Sequence, residues 1–405
     1  MVEGQDRKMD LLEGLQVLDL ADEKASFCSK LLADLGARVI KIERPGGDPS
    51  RTIGPFLEGS PNPEESLFFF HNNTNKLGIT LNLEHEDGKE IFFKLLRKTD
   101  VIIESSPDYL EQNGLGLDAL QLENIRLIHV SVTGFGKNGP RSRYKSCDLI
   151  ASAFGGQMYV TGTPSTAPLR PFGDQSYYGA SLFAAVSILL ALRKRARTGK
   201  GEHIDVSLQE AVVSSLDHVM VRYFYENVIA KRLGGVYWNH SFCILPCKDG
   251  HILLAPFQQW ETLVEWMDDE GMAGDLTDKE YHEEQYCLVR IDHILRVLER
   301  WTRTHTAREL FELGQLMRFP WAPIQPLKEV LDNPQLNARG FFVDVEHPEL
   351  RRSISYPASP YKFSHSPTGR WKRAPLIGED NVGVYQRELG LSDEELQRLS
   401  SLGVI

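Results

Sequence analysis

The sequence predicts an α/β fold built on an open parallel sheet, and three observations carry that expectation: short apolar runs, amphipathic segments alternating with them, and short connections between the two. The stretch LQVLDL (15–20) reads as a buried strand, ASFCSKLLADLG (25–36) as a helix closed by Gly36, and RVIKIE (38–43) as a second strand. That order makes a βαβ unit, whose strands must run parallel. ITLNL (79–83) then precedes the amphipathic DGKEIFFKLLRKT (87–99). VIIES (101–105), a helical segment to Leu122 and the strand LIHVSVTGFG (127–136) continue the alternation, which is the pattern of a Rossmann-like sheet with helices on both faces.

The uncharged run from Gln175 to Leu192 approaches the ~20 apolar residues that cross a bilayer. It carries Gln175, Ser176, Ser181 and Ser187 and ends in ALRKRARTGKG, so a buried core helix is expected. EHIDVSLQEAVVSSLDHVMVRYFYENV supplies one more strand and helix. From 225 to 325 the chain turns more aromatic and acidic, with KDGHILLAP as a hairpin and QQWETLVEWM as a helix, which predicts a smaller α+β domain. The expected organisation is a large domain over 1–224, a small domain over 225–325, and a tail, 326–405, returning to the large domain and closing with the helix SDEELQRLSSLGVI.

A chain of 405 residues with 25% charged and 41% hydrophobic residues is ordinary globular material. Its net charge of -11 argues against a nucleic-acid partner, because phosphate backbones need concentrated Lys and Arg. The opening MVEGQDRKMD has no apolar core, so a cytoplasmic protein without a membrane partner is expected. Cys28, Cys147, Cys243, Cys247 and Cys287 are an odd, scattered set that suits reduced thiols. CILPC has no second Cys or His pair to complete a tetrahedral site, so no metal is expected.

Candidate chemistry begins at the loop after the first strand, ADEKAS, where a helix N-terminus can hold an anion. The plain alternative is that Asp22 caps that helix. G-x-G-x-x-G is missing here, which weakens a nicotinamide reading. IERPGGDPSR follows, a turn fixed by two glycines and two prolines and flanked by Arg44 and Arg51.

These segments together, GLQVLDLADEKASFCSKLLADLGARVIKIERPGGDPSR, resemble the opening of the class III CoA-transferases. The similarity continues through NTNKLGITLNL, GFGKNGPRSRYKSCDL, GGQMYVTGTPSTAPLRP, ARTGKGEHIDVSLQEA, LDNPQLNARGFF and RAPLIGEDNVGVYQRELGLSDEE. The resemblance implies two ring-like monomers interlocked as a dimer, with coenzyme A or an acyl-CoA as substrate rather than a permanently bound cofactor. By matching position it implies CoA contacts at Lys24, Ala25, Arg44, Asn75, Lys76 and Lys145. The implied reaction moves CoA from an acyl-CoA such as succinyl-CoA to a carboxylic acid such as benzylsuccinate, through one aspartate acting as covalent nucleophile.

In the family's pattern that aspartate lies seven residues after the Arg of a P-x-R element and about twenty-two before the Gly of an R-T-G turn. Counted from Arg170 and from Gly199, both routes land on Tyr177. A phenol with a pKa near ~10 cannot replace a carboxylate in acyl exchange. Asp174, about one helical turn earlier, is the remaining catalytic candidate, but a cap on the helix starting near Ser176 is its plainer role.

Other departures agree. Ser105 and Ser106 stand where relatives carry Asn-Phe, Tyr237 and Trp238 where many carry a Gly-rich loop, and Cys147 where related racemases carry a catalytic His. The expectation is therefore one subunit of a heteromeric CoA-transferase whose homologous partner carries the aspartate. The rivals are an active homodimer using Asp174 and a non-catalytic CoA-binding regulatory subunit.

Overall fold

The structure, a computed structural model, describes residues 10–216, 218–237, 241–366 and 371–405. Two compact units divide the chain: Met1–Met158, Arg170–Val228 and Ala338–Ile405 form the first, and Tyr159–Leu169 with Ile229–Asn337 form the second.

The first unit is built on six parallel strands, β1 (Gln16–Leu20), β2 (Arg38–Glu43), β3 (Leu77–Thr80), β4 (Val101–Glu104), β5 (Ile128–Thr133) and β6 (Glu202–Ser207), in the order β3-β2-β1-β4-β5-β6. The chain starts at the centre, winds outward to β3 and crosses back to β4. The switch point thus falls between β1 and β4, where open α/β sheets place their ligands at the carboxyl ends of the strands.

Period-2 alternation sorts the strand residues onto two faces. Val17, Val101, Ile103, Val130 and Val132 pack against α1 (Ser26–Asp34) and the long helix considered below, whereas Leu18, Ile40 and Ile102 face α3 (Glu86–Leu96), whose Ile91, Phe92 and Leu95 cover them. Between α1 and α3 runs the short α2 (Leu67–Asn72), and after β4 come α4 (Pro107–Gln112) and α5 (Leu117–Glu123).

After β5 follow α6 (Asp148–Phe154), one turn of helix α7 (Gln157–Val160) and the long α8 (Gln175–Thr198), which Gly199 closes at φ 72 in the left-handed cap that glycine favours. α8 buries Ala180, Ser181, Ala184, Ala185 and Ala191, small residues that allow close approach to the sheet, together with Ile188. It is long and apolar enough to cross a membrane, yet one face is core. The other face leaves Leu182, Phe183, Val186, Leu189 and Leu190 exposed. The single helix expected after β6 is two, α9 (Leu208–Ser214) and α10 (His218–Glu226), parted at Ser215–Leu216.

β3 begins at Leu77, two residues before the expected ITLNL, and ends at Thr80; the Leu81 N–H still bonds the Glu43 carbonyl of β2 at 2.7 Å, Leu81 and Leu83 are buried beyond the strand, and the Asn82 N–H bonds the Val404 carbonyl. The C-terminal segment explains the shift, because it seals this edge strand. Asp380 and Asn381 accept the Gly78 and Thr80 N–H groups at 2.8 and 2.9 Å, and Tyr385 Oη donates to the Thr80 carbonyl at 2.6 Å. An edge that would otherwise present unpaired donors is covered. A Cβ at Gly78 would lie 2.7 Å from Pro375, so the close approach needs glycine.

The second unit has an antiparallel sheet of β7 (Val236–Tyr237), β8 (Phe242–Pro246), β9 (His251–Leu254) and β10 (Ala322–Pro323). The KDGHILLAP turn is the β8–β9 hairpin, closed by the Cys247 N–H on the Gly250 carbonyl. Its core is aromatic, with Trp266 edge-on to Trp301 at 4.8 Å and Phe319 stacked on Trp321 at 4.4 Å. A hairpin of β11 (Phe342–His347) and β12 (Arg352–Pro357) begins the return to the first unit.

Candidate functional site

At the β1/β4 switch point two loops meet. The Asp22 N–H donates to Ser105 Oγ at 2.9 Å, and that hydroxyl donates to Asp22 Oδ1 at 2.6 Å. Asp22 also accepts the Lys24 N–H and pairs with the Lys24 ammonium. It does not cap α1, whose N-cap is Ala25 without a side-chain bond.

Above these loops lie two clefts sharing Ser106 and Tyr109. One, about 240 Å³, is lined by Leu20, Ile42, Arg44, Leu83 and Tyr109. The other, about 550 Å³, is lined by four cations, Lys24, Lys137, Arg143 and Lys145, against two carboxylates, Asp108 and Glu111, a local excess of positive charge that contrasts with the chain's net charge of -11. Convergent cations with adjacent backbone N–H groups are chemistry suited to phosphates.

Beneath the clefts lies a frame of buried charge. Asp19, inside apolar β1, is fully buried and takes Lys76 Nζ at 2.8 Å, Ser29 Oγ at 2.6 Å and the Ala21 N–H at 3.0 Å. Burial alone would raise its pKa; Lys76 and Lys41 outweigh that and hold the carboxyl below its ordinary range. Burial draws Lys76 down to about 8, so the pair stays charged at neutral pH. Lys41, inside β2, binds Asp48 at 2.9 Å and the Ala21 carbonyl.

Glu43 takes Arg51 through both oxygens at 2.6 and 2.8 Å, and the same guanidinium reaches Glu64 and the Pro375 carbonyl and stacks 3.7 Å over Phe69. The PGGDPSR turn is thus fixed from inside. Sequence reasoning passed over Asp19, Lys41 and Glu43, although a charged residue in an apolar strand signals a buried partner.

The six residues matched to CoA contacts separate into two sets. Lys24, Arg44 and Lys145 line the clefts, Arg44 being 60% exposed with its guanidinium 4.3 Å over Tyr109. Ala25 is fully buried. Lys76 spends all three protons on Asp19, the Ser26 carbonyl at 2.9 Å and Asn73 at 2.8 Å, so it supports the loop from below. Asn75, at φ 63, ties Asp34 and the Lys372 N–H, each at 2.7 Å.

At the expected nucleophile position Tyr177 is 7% exposed, and its oxygen accepts the Asp148 N–H at 3.0 Å. Burial raises the phenol pKa, which keeps it protonated. Asp174 occupies the N-cap position of α8, but its side chain makes no capping bond. The expected capping role falls instead to Asp148, which sequence reasoning missed: its carboxylate takes the Ser176 N–H at 2.9 Å and Oγ at 2.7 Å. Burial and then Asp148 raise the Asp174 pKa, against Arg170. Cys147 is exposed beside this junction. The Tyr237 side chain and Trp238 lie outside the described residues.

The chain belongs to CoA-transferase family III, whose model matches residues 12–381. Within that family it is similar to succinyl-CoA:(R)-benzylsuccinate CoA-transferase subunit BbsE of Thauera aromatica, 33% identical over 96% of this chain and 97% of that one. It is also similar to formyl-CoA:oxalate CoA-transferase of Streptomyces avermitilis, 32% identical over 97% and 99% of the two chains. Among solved structures, a CAIB/BAIF family protein from Brucella suis superposes with a TM-score of 0.84 at 28% identity, covering 93% of this chain and 99% of that one.

Two outcomes follow from the charged frame. Arg51→Met strands Glu43 without its partner and should cost about 3–5 kcal/mol in urea denaturation, and Arg51→Lys should recover only part because it lacks the bidentate fork. Asp19 and Asp48 both sit below their ordinary range, so their stabilisation is fully present above the unfolded value of about 3.9 and is lost as pH falls through the lower folded values. Denaturation midpoints should fall below about pH 4, and more shallowly in Asp19→Asn.

Proposed function

We propose that this chain works in the cytoplasm as one subunit of a heteromeric CoA-transferase that moves CoA between an acyl-CoA such as succinyl-CoA and a carboxylic acid such as benzylsuccinate. The partner is a homologous chain that carries the nucleophilic aspartate. The observation that carries this reading is Tyr177, buried where the carboxylate is expected and bonded to the Asp148 N–H. Similarity to a relative named as a subunit supports it.

In the exchange, the partner's carboxylate attacks the thioester carbonyl and expels CoA thiolate, leaving a mixed anhydride. The thiolate then attacks the aspartyl carbonyl and releases the donor acid. The acceptor carboxylate attacks the aspartyl-CoA thioester, and the returning thiolate takes the acceptor acyl group and frees the aspartate. This chain's contribution is the switch-point cleft, with Lys24, Arg44 and Lys145 on the CoA phosphates. An interlocked assembly would cover the exposed apolar face of α8 formed by Leu182, Phe183, Val186, Leu189 and Leu190.

A second reading, a homodimer using Asp174, is favoured by one observation: that carboxylate is half-buried and uncapped.

Coenzyme A should bind the isolated chain, and Arg44→Glu should weaken it about tenfold or more by calorimetry; unchanged affinity would remove Arg44 from the site. Acyl-CoA with hydroxylamine or borohydride should label the partner's aspartate and leave Asp174 unmodified, and Asp174→Ala should keep most of the activity of the complex. An adduct on Asp174, or full turnover by this chain purified alone, establishes the homodimer instead.

A further inference from the structure

The face of the sheet away from α1 and α8 carries polar side chains deep between β4, β5 and β6. Glu104 pairs in register with Ser131, and His129 with His203. Glu104, His129 and Ser131 are buried and His203 half-buried. His129 Nε2 lies 3.4 Å from Glu104 Oε1 and 3.5 Å from Ser131 Oγ, and Ser131 Oγ lies 3.1 Å from His203 Nε2. The two imidazoles are 5.0 Å apart. Glu104 Oε1, His129 Nδ1 and Thr133 Oγ1, all buried in this file, have no hydrogen-bond partner. The file ends at the ligand clefts, since Thr133 lines the larger one and Glu104 the smaller.

Glu104 connects the file to the loop above. Its Oε2 accepts the Ser106 N–H at 2.8 Å, and Ser106 lines both clefts. Next to it, Ser105 holds Asp22, which holds Lys24. We propose that Glu104, His129, Ser131 and His203 form a proton-binding file beneath the switch point, and that it takes up a proton when a polyanionic ligand occupies the cleft.

Two imidazoles at this separation share a single proton, because charging one opposes charging the other. With both rings neutral, Glu104 Oε1 has no charged partner among the described residues. A proton on either ring supplies one. The other charged groups facing the file are Asp205 on β6, which accepts the Lys137 N–H at 2.9 Å, and Lys137 after β5, whose ammonium lies 3.2 Å from Glu111 of α4. Burial, then His129 and Lys137, hold His203 below the ordinary imidazole range, with Asp205 and Glu104 opposing. The free protein therefore has room to accept a proton near neutrality, and phosphates above the file increase its affinity for one.

The inference rests on the reading that coenzyme A occupies this cleft, and the test separates the two. CoA binding near pH 7 is measured by calorimetry in buffers of differing ionisation enthalpy, for the full-length chain and for His129→Gln and His203→Gln. Titration of the CoA phosphates themselves is common to all three proteins and cancels in the comparison. The native chain should take up about half a proton or more beyond either variant, and its affinity advantage should grow several-fold from about pH 8 to about pH 6. Equal uptake in all three overturns the file. If CoA does not bind at all, the proposed function fails instead, and imidazole titration by NMR of the free protein decides the file. His129→Gln should raise the His203 midpoint, and an unmoved midpoint refutes the shared proton.

Discussion

The first unit depends on a frame of charges buried under the carboxyl edge of its sheet. Asp19 with Lys76, Lys41 with Asp48 and Glu43 with Arg51 link β1, β2, the PGGDPSR turn and the NTNK loop into one network. Stranding one member of a buried pair costs about 3–5 kcal/mol, a large part of the about 5–15 kcal/mol that holds a domain folded. Rim ion pairs such as Arg44 with Glu84, at 4.0 Å and exposed on both sides, contribute little by comparison. The frame therefore fixes the loops, while an exposed rim cation such as Arg44 is only weakly held.

That division explains what was legible in the sequence. The strands of the first sheet were readable because parallel strands buried on both faces are short apolar runs, and β1, β2, β4 and β5 lie where those runs predict. β3 was displaced because its edge is sealed by Asp380, Asn381 and Tyr385, roughly three hundred residues away, which no local pattern reveals. Lys24 and Lys76 illustrate the same boundary at the site. Both sit in motif turns, but the direction each ammonium takes is decided by Asp22 and Asp19, residues the motifs do not mark as its partners.

Position along α8 and the cap at its start depend on different parts of the chain. The count back from Gly199 runs along α8 and reaches Tyr177, buried on the inner face of the helix, whereas the count from Arg170 crosses the loop that precedes Gln175. Capping rules are local, and the cap of α8 is not. Asp148 comes from the start of α6, receives Ser176 through its carboxylate and gives its own N–H to Tyr177. This reciprocal clamp joins the two helix starts and releases Asp174 from the capping role its position implies.

α8 carries the tension between these constraints to the surface. Its inner face is mostly alanine and serine, with Tyr177 and Ile188 among them, and Leu182, Phe183, Val186, Leu189 and Leu190 lie on the outer face. Burying such a face contributes about 25 cal/mol per Å² once it is covered, and leaving it in water forfeits that stabilisation. Any surface that covered this face would come from outside the first unit's core, and the homologous partner proposed above would present a helix of matching composition.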